Sequence, residues 1–319
     1  WIYLHAGGAI GPGSEAVETE ISDRLRKYLL PEDIGDIKKA LQASLSLQEL
    51  GPKKLMYPLL ALIYLAPLCE ALRQAGIEPS LLSYIWGVSG SKKSTLIALL
   101  LSHFGNFEHT GLPASFRDTG NSIEKLAFLA KDTVLAVDDL YPAREPKERA
   151  KLEGVLEHLS RNQGDRTGKG RMKADTSLRE GLPPRGLALC SGEIMPLSGS
   201  SLARNFVHKL QKGDIDPKKL TIAQAQPQKA LLSQAMRGYL EWLAPQMGDL
   251  PDQLKEAFTH LRGEATGKAT VKTRHSRLNE AISHLHLGLN SFLSFAVSKE
   301  IISQDEGMKI LQEAWEIFN

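Results

Sequence analysis

The chain has 319 residues, of which 42% are hydrophobic and 24% are charged, proportions typical of a soluble globular protein. Its formal net charge of +2, from 39 basic and 37 acidic residues, neither implies nor excludes nucleic-acid binding, so local clusters of charge must decide. The only cysteines, Cys69 and Cys190, lie in apolar stretches, which argues against a disulfide framework or a zinc site and predicts buried free thiols in a reducing compartment.

The most apolar stretch covers residues 55–72 and decides whether a membrane span is expected. It contains Pro58, Pro67 and Glu70, and it falls short of the about 20 clean apolar residues that a span needs. We therefore expect a buried helix, no membrane and a cytoplasmic location. No signal peptide is found, and the chain opens at Trp1 on a strand-like run, from which we expect it to be the C-terminal part of a longer polypeptide.

The first 78 residues are predicted to form a strand followed by a helical subdomain. Residues 1–13 have the pattern of a short strand and a glycine-rich turn. Apolar residues at helical spacing then predict three helices. These are residues 15–29, which stop at Pro31, residues 31–50, which end at Gly51, and residues 55–74, which end at Gly76.

Residues 79–220 have a different pattern, in which short apolar runs alternate with helices. This alternation predicts an α/β core with a parallel sheet covered by helices. The predicted strands are residues 81–86, 133–137, 186–190 and 207–210, and the predicted helices are residues 94–104, 122–130 and 144–162. Residues 221–319 form a second helical subdomain, with helices at 228–243, 251–262, 275–297 and 303–318 and a polar loop at 263–273.

The strongest motif is a glycine-rich segment between the first core strand and the first core helix. The P-loop pattern is G-x-x-x-x-G-K-[ST], and successive backbone N–H groups of such a loop wrap the phosphates of a nucleotide at a helix N-terminus. Lys93 is predicted to reach the β- and γ-phosphates of ATP, and the Ser94 hydroxyl to bind Mg²⁺. The segment consists of Gly87, Val88, Ser89, Gly90, Ser91, Lys92, Lys93, Ser94 and Thr95.

One position departs from the P-loop pattern. Lys92 replaces the second glycine, which puts a side chain where the backbone usually passes bare, although Gly90 lies just upstream. Two interpretations stay open. The Lys92 ammonium either adds charge near the phosphates or points to solvent.

A pair of acids provides the second part of the predicted site. Asp138 and Asp139 follow a buried strand, about 45 residues after Lys93. A carboxylate at such a strand end can hold Mg²⁺ through water, and its neighbour can orient or deprotonate the attacking water. We assign Asp138 to the metal and Asp139 to the water. The alternative is an ordinary acidic turn after a core strand.

Two further predictions concern the γ-phosphate. A polar residue at the end of the third strand senses this phosphate in ATPases of this layout, and Ser191 and Glu193 are the candidates. The alternative is a helix or turn cap. Arg204 is the candidate for an arginine finger that reaches the nucleotide of a neighbouring subunit, and Arg185 is the second choice.

Six segments together resemble the ATPase/helicase modules of replication proteins from phages, plasmids and other mobile elements. They are His-Ala-Gly-Gly-Ala-Ile-Gly at 5–11, Ala-Pro-Leu at 66–68, the P-loop at 87–94, Val-Asp-Asp-Leu-Tyr-Pro at 137–142, Pro-Pro-Arg-Gly at 183–186 and Ser-Gly-Glu at 191–193. The resemblance covers most of residues 1–215. In that group the position of Lys92 is often not glycine.

These modules are similar to superfamily 3 and AAA+ helicases and often follow a primase domain. The resemblance therefore implies a homo-oligomeric ring, usually a hexamer, that translocates along single-stranded or forked DNA, with a primase domain on the same longer chain. In related helicases an element between the paired acids and the third strand projects into the central channel and touches the phosphate backbone.

The matching segment here, residues 161–173, contains five basic residues and three glycines. Lys169, Arg171 and Lys173 are the candidates for DNA contact, and neutralising phosphates in this way makes binding salt-dependent and nearly blind to sequence. The alternative is a solvated surface loop. Arg166 or Arg171 is also a candidate to face a nucleotide across the subunit boundary.

Other polar residues have structural interpretations. Thr119 or Asn121 is expected to cap the following helix in preference to sensing the nucleotide. His275 is expected to mark a helix start in preference to facing DNA or ATP, and His5 is expected to be structural.

The sequence thus predicts an ATP-dependent DNA helicase that uses Mg²⁺ and forms a ring. Two alternatives stay open. One is an initiator or loader that binds DNA and ATP without unwinding. The other is a P-loop kinase acting on a small molecule, for which the sequence shows neither a lid nor an acceptor pocket.

Overall fold

The computed structural model describes residues 1–172, 176–195, 203–268 and 275–319, and a parallel sheet of five strands lies at its centre. The order of the strands across this sheet is β4-β5-β8-β3-β9, and every neighbouring pair is parallel. The described strands are β1 (Tyr3–His5), β2 (Gly8–Ile10), β3 (Leu82–Trp86), β4 (Ala114–Ser115), β5 (Val134–Leu140), β6 (Arg171–Met172), β7 (Leu178–Arg179), β8 (Leu187–Gly192) and β9 (Asn205–Lys209).

The composition of the central strands explains why they form a parallel sheet. All six residues of β8 are buried, and so are the first four residues of β3 and of β5. Strands that are covered on both faces need such continuous apolar runs, because neither face meets water. The α/β fold class predicted from the sequence is therefore confirmed.

Helices surround the sheet. The helix α4 packs on β5 and β8, α5 packs on β5, and α6 packs on β3. The described helices are α1 (Ile37–Ser46), α2 (Lys53–Leu65), α3 (Cys69–Gln74), α4 (Lys93–Leu101), α5 (Gly120–Leu129), α6 (Pro146–Asp165), α7 (Pro217–Gln224), α8 (Gln228–Leu243), α9 (Leu250–Lys268), α10 (Ser276–Ser298) and α11 (Gln304–Phe318).

Helices from both ends of the chain pack together on one side of the core. The helix α2 packs against α10 and α11, and α1 packs against α8. The Tyr64 ring on α2 stacks on Phe292 of α10 with a centroid distance of 3.9 Å, and the Tyr239 hydroxyl of α8 donates to the Tyr64 carbonyl at 3.1 Å. The two predicted helical subdomains thus share one apolar core. The boundaries near residues 78 and 220 stay predictions.

The run Lys53–Gln74 is long and apolar enough to cross a membrane, but 94% of its most apolar window is buried inside the protein. Core helices have this composition too, and the contacts of α2 with α4, α10 and α11 bury it. The expectation of a buried helix is confirmed. The predicted single helix at 55–74 is interrupted, because Pro67 starts a 3-10 turn, Ala66–Leu68, between α2 and α3.

Two predicted helices differ from the structure near the N-terminus. Residues 15–29 form no α-helix, and within them the described secondary structure is the 3-10 turn Asp23–Leu25. The segment follows an irregular path along the core, because Tyr28 is bonded to the core at two points. Its hydroxyl donates to the Val134 carbonyl at 2.7 Å, and the main-chain carbonyl of Tyr28 accepts from Ala6 N–H at 2.8 Å. The next helix begins at Ile37 and not at residue 31, because Gly35 has a φ of 62° and Asp36 caps the helix.

The predicted loop at 263–273 was wrong over its first part. The helix α9 continues to Lys268, and residues 269–274 lie outside the described residues. Ala265 is fully buried and Thr266 Oγ1 accepts from the Asn279 amide at 3.2 Å. These contacts with α10 hold the helix where polarity alone favoured a loop.

Candidate functional site

An open pocket of about 320 Å³ lies at the carboxyl ends of the parallel strands. It is formed by the loop between β3 and α4, the end of β5 and the end of β8. This edge of a parallel sheet is where ligands of open α/β folds bind. The lining residues are Ser89, Gly90, Lys92, Lys93, Ser94, Thr95, His109, Asp138, Asp139, Leu140, Gly192 and Glu193.

The backbone of the loop explains its two glycines. Gly87 N–H donates to the Gly192 carbonyl at 3.1 Å, and a Cβ at Gly87 would lie 2.3 Å from the Leu210 carbonyl oxygen. Gly90 has a φ of 77°, which favours glycine. Val88 is 58% exposed, whereas Ser91 is 2% exposed and its hydroxyl has no hydrogen-bond partner among the described residues.

Lys92 has the same left-handed backbone as the glycine that it replaces, with a φ of 73° and a ψ of 21°. It precedes the first turn of α4, and no described side chain caps that turn. The first N–H groups of a helix need partners from outside it and favour an anion. The free end of α4 therefore fits a phosphate, in accordance with the P-loop prediction.

Lys93 bends back over the loop. Its ammonium group donates to the Gly87 carbonyl at 2.7 Å and to the Val88 carbonyl at 3.0 Å. Burial lowers the pKa of Lys93, while the nearby carboxylates of Glu193, Asp138 and Asp139 act in the opposite direction. A cation with only carbonyl partners inside a pocket rimmed with acids is suited to an anionic ligand that carries its own metal ion.

The two acids lie at an irregularity in β5. The pairing of β5 with β8 shifts between Val137 and Leu140, and Asp139 has a φ of 69°. This bulge directs two successive acidic residues toward the pocket, in a place where a regular strand would send them to opposite faces. Both carboxylates line the pocket that contains Lys93 and Ser94.

Ser191 has a different environment from the predicted phosphate sensor. It is fully buried in β8, and its hydroxyl donates to Asp138 Oδ1. Ser191 therefore acts on Asp138 and has no direct access to a ligand. Glu193, the other candidate, lines the pocket, and its main chain accepts from the Trp86 indole at 3.1 Å.

Three residues near the pocket were missed by sequence reasoning. Arg117, just after β4, forms an ion pair with Asp139 at 3.2 Å, and its guanidinium lies 5.3 Å from the centre of the Tyr141 ring. His109 lies in the pocket wall. Lys212 follows β9, and its Nζ lies 3.8 Å from where a Cβ on Gly90 would be. None of the three lies in a recognisable motif, so only the tertiary structure reveals them.

The arginines considered for a neighbouring nucleotide lie at the opposite edge of the sheet. Arg204 O accepts from Leu82 N–H at the amino end of β3, and the Arg204 guanidinium bonds Asp165 at 3.2 Å. Arg204 is therefore remote from the pocket of its own chain, and its role as a finger in a partner stays a prediction. Arg185 stacks on Phe128 and donates to the Phe128 carbonyl at 2.6 Å, and its role as a finger also stays a prediction.

The proposal that Arg166 faces a nucleotide across a subunit boundary was wrong. Its side chain is 9% exposed and donates to the Pro79 carbonyl and, at 2.8 Å, to the Gly186 carbonyl. It joins the segments that enter β3 and β8. A guanidinium buried this deeply does not lie on a surface that another subunit could contact.

The predicted DNA-binding segment includes the first strand, β6, of the β6–β7 hairpin, and β7 lies beyond its end. The strands β6 and β7 pair antiparallel, with Arg171 opposite Arg179. Lys169 is exposed, and its N–H donates to Glu124 Oε1 at 2.7 Å. Lys173 lies outside the described residues, and for Arg171 the structure describes only the backbone. Since Arg166 bonds the residues that precede β3 and β8, the hairpin emerges at the amino edge of the sheet.

The remaining predictions concern structural residues. Thr119 caps α5 by accepting from Ser122 N–H at 3.2 Å, and His275 caps α10 by accepting from Arg277 N–H at 3.3 Å. His5 Nδ1 accepts from Leu30 N–H at 3.3 Å, in a structural role. Cys69 and Cys190 are buried free thiols, as predicted.

Metal binding at the pocket needs ligands beyond the protein. In the part of the chain that the structure describes, no group of three or more His, Cys, Asp or Glu side chains is arranged to hold a metal ion. Mg²⁺ in nucleotide sites usually takes one or two protein groups plus phosphate oxygens and waters. Ser94 and Asp138 fit that minimal set.

Three comparisons place this geometry among known proteins. The model of a domain of unknown function, DUF927, matches residues 53–175, which run from α2 into the β6–β7 hairpin. No curated protein matches the chain by sequence.

Several solved structures are similar in three dimensions. The active helicase Cch of SCCmec type IV has a TM-score of 0.54 and 13% identity, over 87% of this chain and 51% of that chain. The JCV helicase has a TM-score of 0.36 and 12% identity, over 72% of this chain and 65% of that chain. The C-terminal region of NrS-1 has a TM-score of 0.34 and 11% identity, over 97% of this chain and 70% of that chain.

The chain thus spans about half the length of the Cch helicase, 51%. At 13% identity the likeness establishes a shared fold and no more. The chain has a helicase-like fold, with a five-stranded parallel sheet flanked by helices.

Proposed function

We propose that this protein is an ATP-dependent DNA helicase or translocase of the superfamily 3 or AAA+-like kind, which serves the replication of a mobile element. ATP binds in the pocket between β3, β5 and β8 together with Mg²⁺. The protein works as a homo-oligomeric ring, a hexamer, on single-stranded or forked DNA in the cytoplasm, beside a primase.

One observation supports the ATPase part above all others. Lys93 and Ser94 from one motif and Asp138 and Asp139 from another, far apart in sequence, line the same pocket at the end of a parallel sheet. If the glycine-serine-lysine segment and the acidic pair were both ordinary turns, nothing would be expected to bring them into the same pocket.

Each residue has a task in the in-line attack of water on the γ-phosphate. The Lys93 ammonium leaves the Gly87 and Val88 carbonyls and donates to the phosphate oxygens, where negative charge develops. Ser94 and Asp138 would hold Mg²⁺, which would supply positive charge against the phosphates. Asp139 orients the water and accepts its proton, for which it must leave the ion pair with Arg117.

The positions of two features support the proposal of a ring that acts on DNA. The nucleotide pocket lies at the carboxyl edge of the sheet, and Arg204 and the β6–β7 hairpin lie at the amino edge. In a ring this separation lets Arg204 serve the nucleotide of the next subunit. Lys169, Arg171 and Lys173 then contact the DNA backbone in the channel.

The Lys93→Ala variant tests the ATPase proposal. We expect hydrolysis of ATP to fall about 100-fold or more, because one preorganised positive charge at the transferred phosphate is lost. Phosphate release is measured with and without single-stranded DNA, and the melting temperature is recorded for each protein. Lys255→Ala, an exposed lysine on α9, is the control and should retain its activity. Full turnover by a folded Lys93→Ala protein contradicts the assignment.

A strand-displacement assay separates the helicase from the alternatives. A forked duplex and ATP are supplied, and unwinding is scored against binding alone. Unwinding that requires ATP supports the helicase, whereas DNA binding and hydrolysis without displacement identify an initiator or loader. DNA-stimulated hydrolysis without a phosphorylated small molecule excludes the kinase.

A further inference from the structure

A second cavity, of about 340 Å³, lies at the amino edge of the sheet, opposite the nucleotide pocket. Its walls come from β1, the irregular segment at 20–28 and the turn from α5 into β5. Tyr3, Leu25 and Tyr28 give it an apolar and aromatic side, and Asp132 and Arg185 give it a polar end. Its volume is sufficient for a small ligand.

Asp132 is the unusual member of this lining. The residue is 4% exposed and has a φ of 54°, and its N–H donates to the Arg185 carbonyl at 3.2 Å. Its Oδ2 accepts from the Lys131 ammonium at 2.5 Å, whereas its Oδ1 has no hydrogen-bond partner among the described residues. A buried carboxylate oxygen without a partner costs free energy that a ligand with an N–H group can recover.

The Asp132 carboxylate, a hydrogen-bond acceptor, lies next to the Lys131 ammonium group, a donor. Burial raises its pKa to about 6, and Lys131 acts in the opposite direction, so the group is ionised at neutral pH. The Lys131 ammonium also forms an ion pair with the Glu70 carboxylate, at 3.1 Å. Burial lowers the pKa of Arg185, and the negative charge of the nearby Asp132 acts in the opposite direction. The Arg185 Nε donates a hydrogen bond to the Phe128 carbonyl.

We propose that this cavity binds a nucleobase that carries an exocyclic amino group. Asp132 accepts a hydrogen bond from the amino group, and Arg185 donates to the ring nitrogen or carbonyl beside it. Adenine, cytosine and guanine each have a donor next to an acceptor in this way, whereas thymine and uracil lack the amino group. Tyr3, Tyr28 and the apolar side chains cover the planar ring.

The two sources of such a base are a free nucleoside or nucleotide and a strand of nucleic acid. The β6–β7 hairpin leaves the same edge of the sheet, and Pro183 and Pro184 connect it to Arg185. The shared chemistry is the amino-bearing base. The experiment below separates the sources.

Calorimetric titration with unphosphorylated nucleosides tests the proposal without engaging the P-loop. Adenosine, cytidine and guanosine are expected to bind, and purine riboside, which is adenosine without its amino group, about tenfold more weakly, because it has no N–H group for the Asp132 oxygen. Asp132→Asn keeps a residue that tolerates the left-handed backbone and is expected to weaken adenosine binding about tenfold.

A second variant guards against a folding defect. Ile21→Phe adds bulk to a half-buried residue of the cavity wall and is expected to abolish binding with little change in melting temperature. Ile222→Phe, on an exposed residue far from the cavity, is the matched control and should bind normally. A single-stranded oligonucleotide that displaces adenosine assigns the base to a strand, and one that does not displace it assigns the base to free nucleosides.

The proposal is overturned if no nucleoside binds, if purine riboside binds as tightly as adenosine, or if Asp132→Asn and Ile21→Phe leave the affinity unchanged. Hydrolysis of ATP is a separate readout, so failure here leaves the proposed ATPase function intact.

Discussion

Lys92 has the backbone conformation of a glycine at the start of α4, with a φ of 73°. A non-glycine residue in this region costs about 1–2 kcal/mol, and replacing it by glycine returns about 0.5–1 kcal/mol to the flexibility of the unfolded chain. The first effect is the larger, so the backbone stores a small strain at the mouth of the pocket. Backbone strain of this size persists only where the surrounding structure imposes it, and such strained residues are common at functional sites.

The Lys92→Gly variant is expected to be more stable by about 0.5 kcal/mol, as the difference of those two effects. Urea unfolding measures the gain, and Lys92→Ala, which keeps the left-handed requirement, is the control without gain. Hydrolysis is expected to be retained. A large loss of hydrolysis in Lys92→Gly and Lys92→Ala alike would assign the Lys92 charge to the phosphates instead.

Ser191 links the third strand to the metal-binding acid, because its hydroxyl donates to Asp138. We expect Ser191→Ala to lower hydrolysis about tenfold by leaving Asp138 free to rotate, and to raise the Mg²⁺ concentration needed for half-maximal rate. A titration of rate against Mg²⁺ measures both. Ser233→Ala, on an exposed site of α8, is the control. A reduced rate with an unchanged Mg²⁺ dependence would contradict a role through Asp138.

At the scale of elements, the contact between α2 and α10 depends on a glycine. A Cβ at Gly288 would lie 2.4 Å from the Ala61 carbonyl oxygen and 2.7 Å from the Leu65 Cβ. Neither atom can move without shifting α2, every residue of which is buried from Leu55 to Leu65. The two helices can pack this closely only because position 288 has no side chain.

Gly288→Ala is therefore expected to destabilise the protein by about 2 kcal/mol or more, as overpacking of a rigid core does. Gly263→Ala provides the matched control, since this helical glycine of α9 has nothing within 4 Å of its Cβ position. It should gain about 0.5–1 kcal/mol from helix propensity. Thermal unfolding of both variants gives the comparison, and equal effects would show that the contact is loose.

In the part of the molecule that the structure describes, burial lowers the pKa of several histidines, and His103, His208 and His284 are the most deeply buried of them. Burial lowers the pKa of His103 and His284 to about 4 and that of His208 to about 3. In the unfolded chain each takes up a proton near its usual pKa of about 6.5. The unfolded state thus binds more protons below that pH, so the free energy of unfolding falls as the pH decreases from about 6.5 toward 4.

Each such histidine lowers the free energy of unfolding by up to about 1.4 kcal/mol for every pH unit of acidification in this range. Urea unfolding at pH 7.5, 6 and 5 is expected to show a steep loss of stability on acidification. His103→Gln should reduce the slope by one proton, whatever it does to stability at neutral pH. An unchanged slope would mean that His103 is protonated in the folded state.

The sequence alone determined the parts of this protein that depend on neighbours in the chain. The β3–loop–α4 unit, the buried strand before Asp138 and Asp139, and the four helices from residue 228 onward were predicted, whereas α7 was not, because hydrophobic periodicity and glycine positions act over a few residues. Thr119 and His275 were identified as caps for the same reason. Lys93 and the acids were expected to meet because carboxyl ends of parallel strands share one edge.

Only the tertiary structure decided what depends on distant partners. Residues 15–29 have a helical pattern but follow an irregular path, because Tyr28 gains more from the Val134 carbonyl and the core than a surface helix offers. Arg166 and Ser191 were buried by contacts with segments remote in sequence, and the bulge that directs Asp139 comes from its pairing with β8. Burial and hydrogen bonding across the fold outweigh local preference at these sites, since an unmet buried polar group costs more than a helix turn provides.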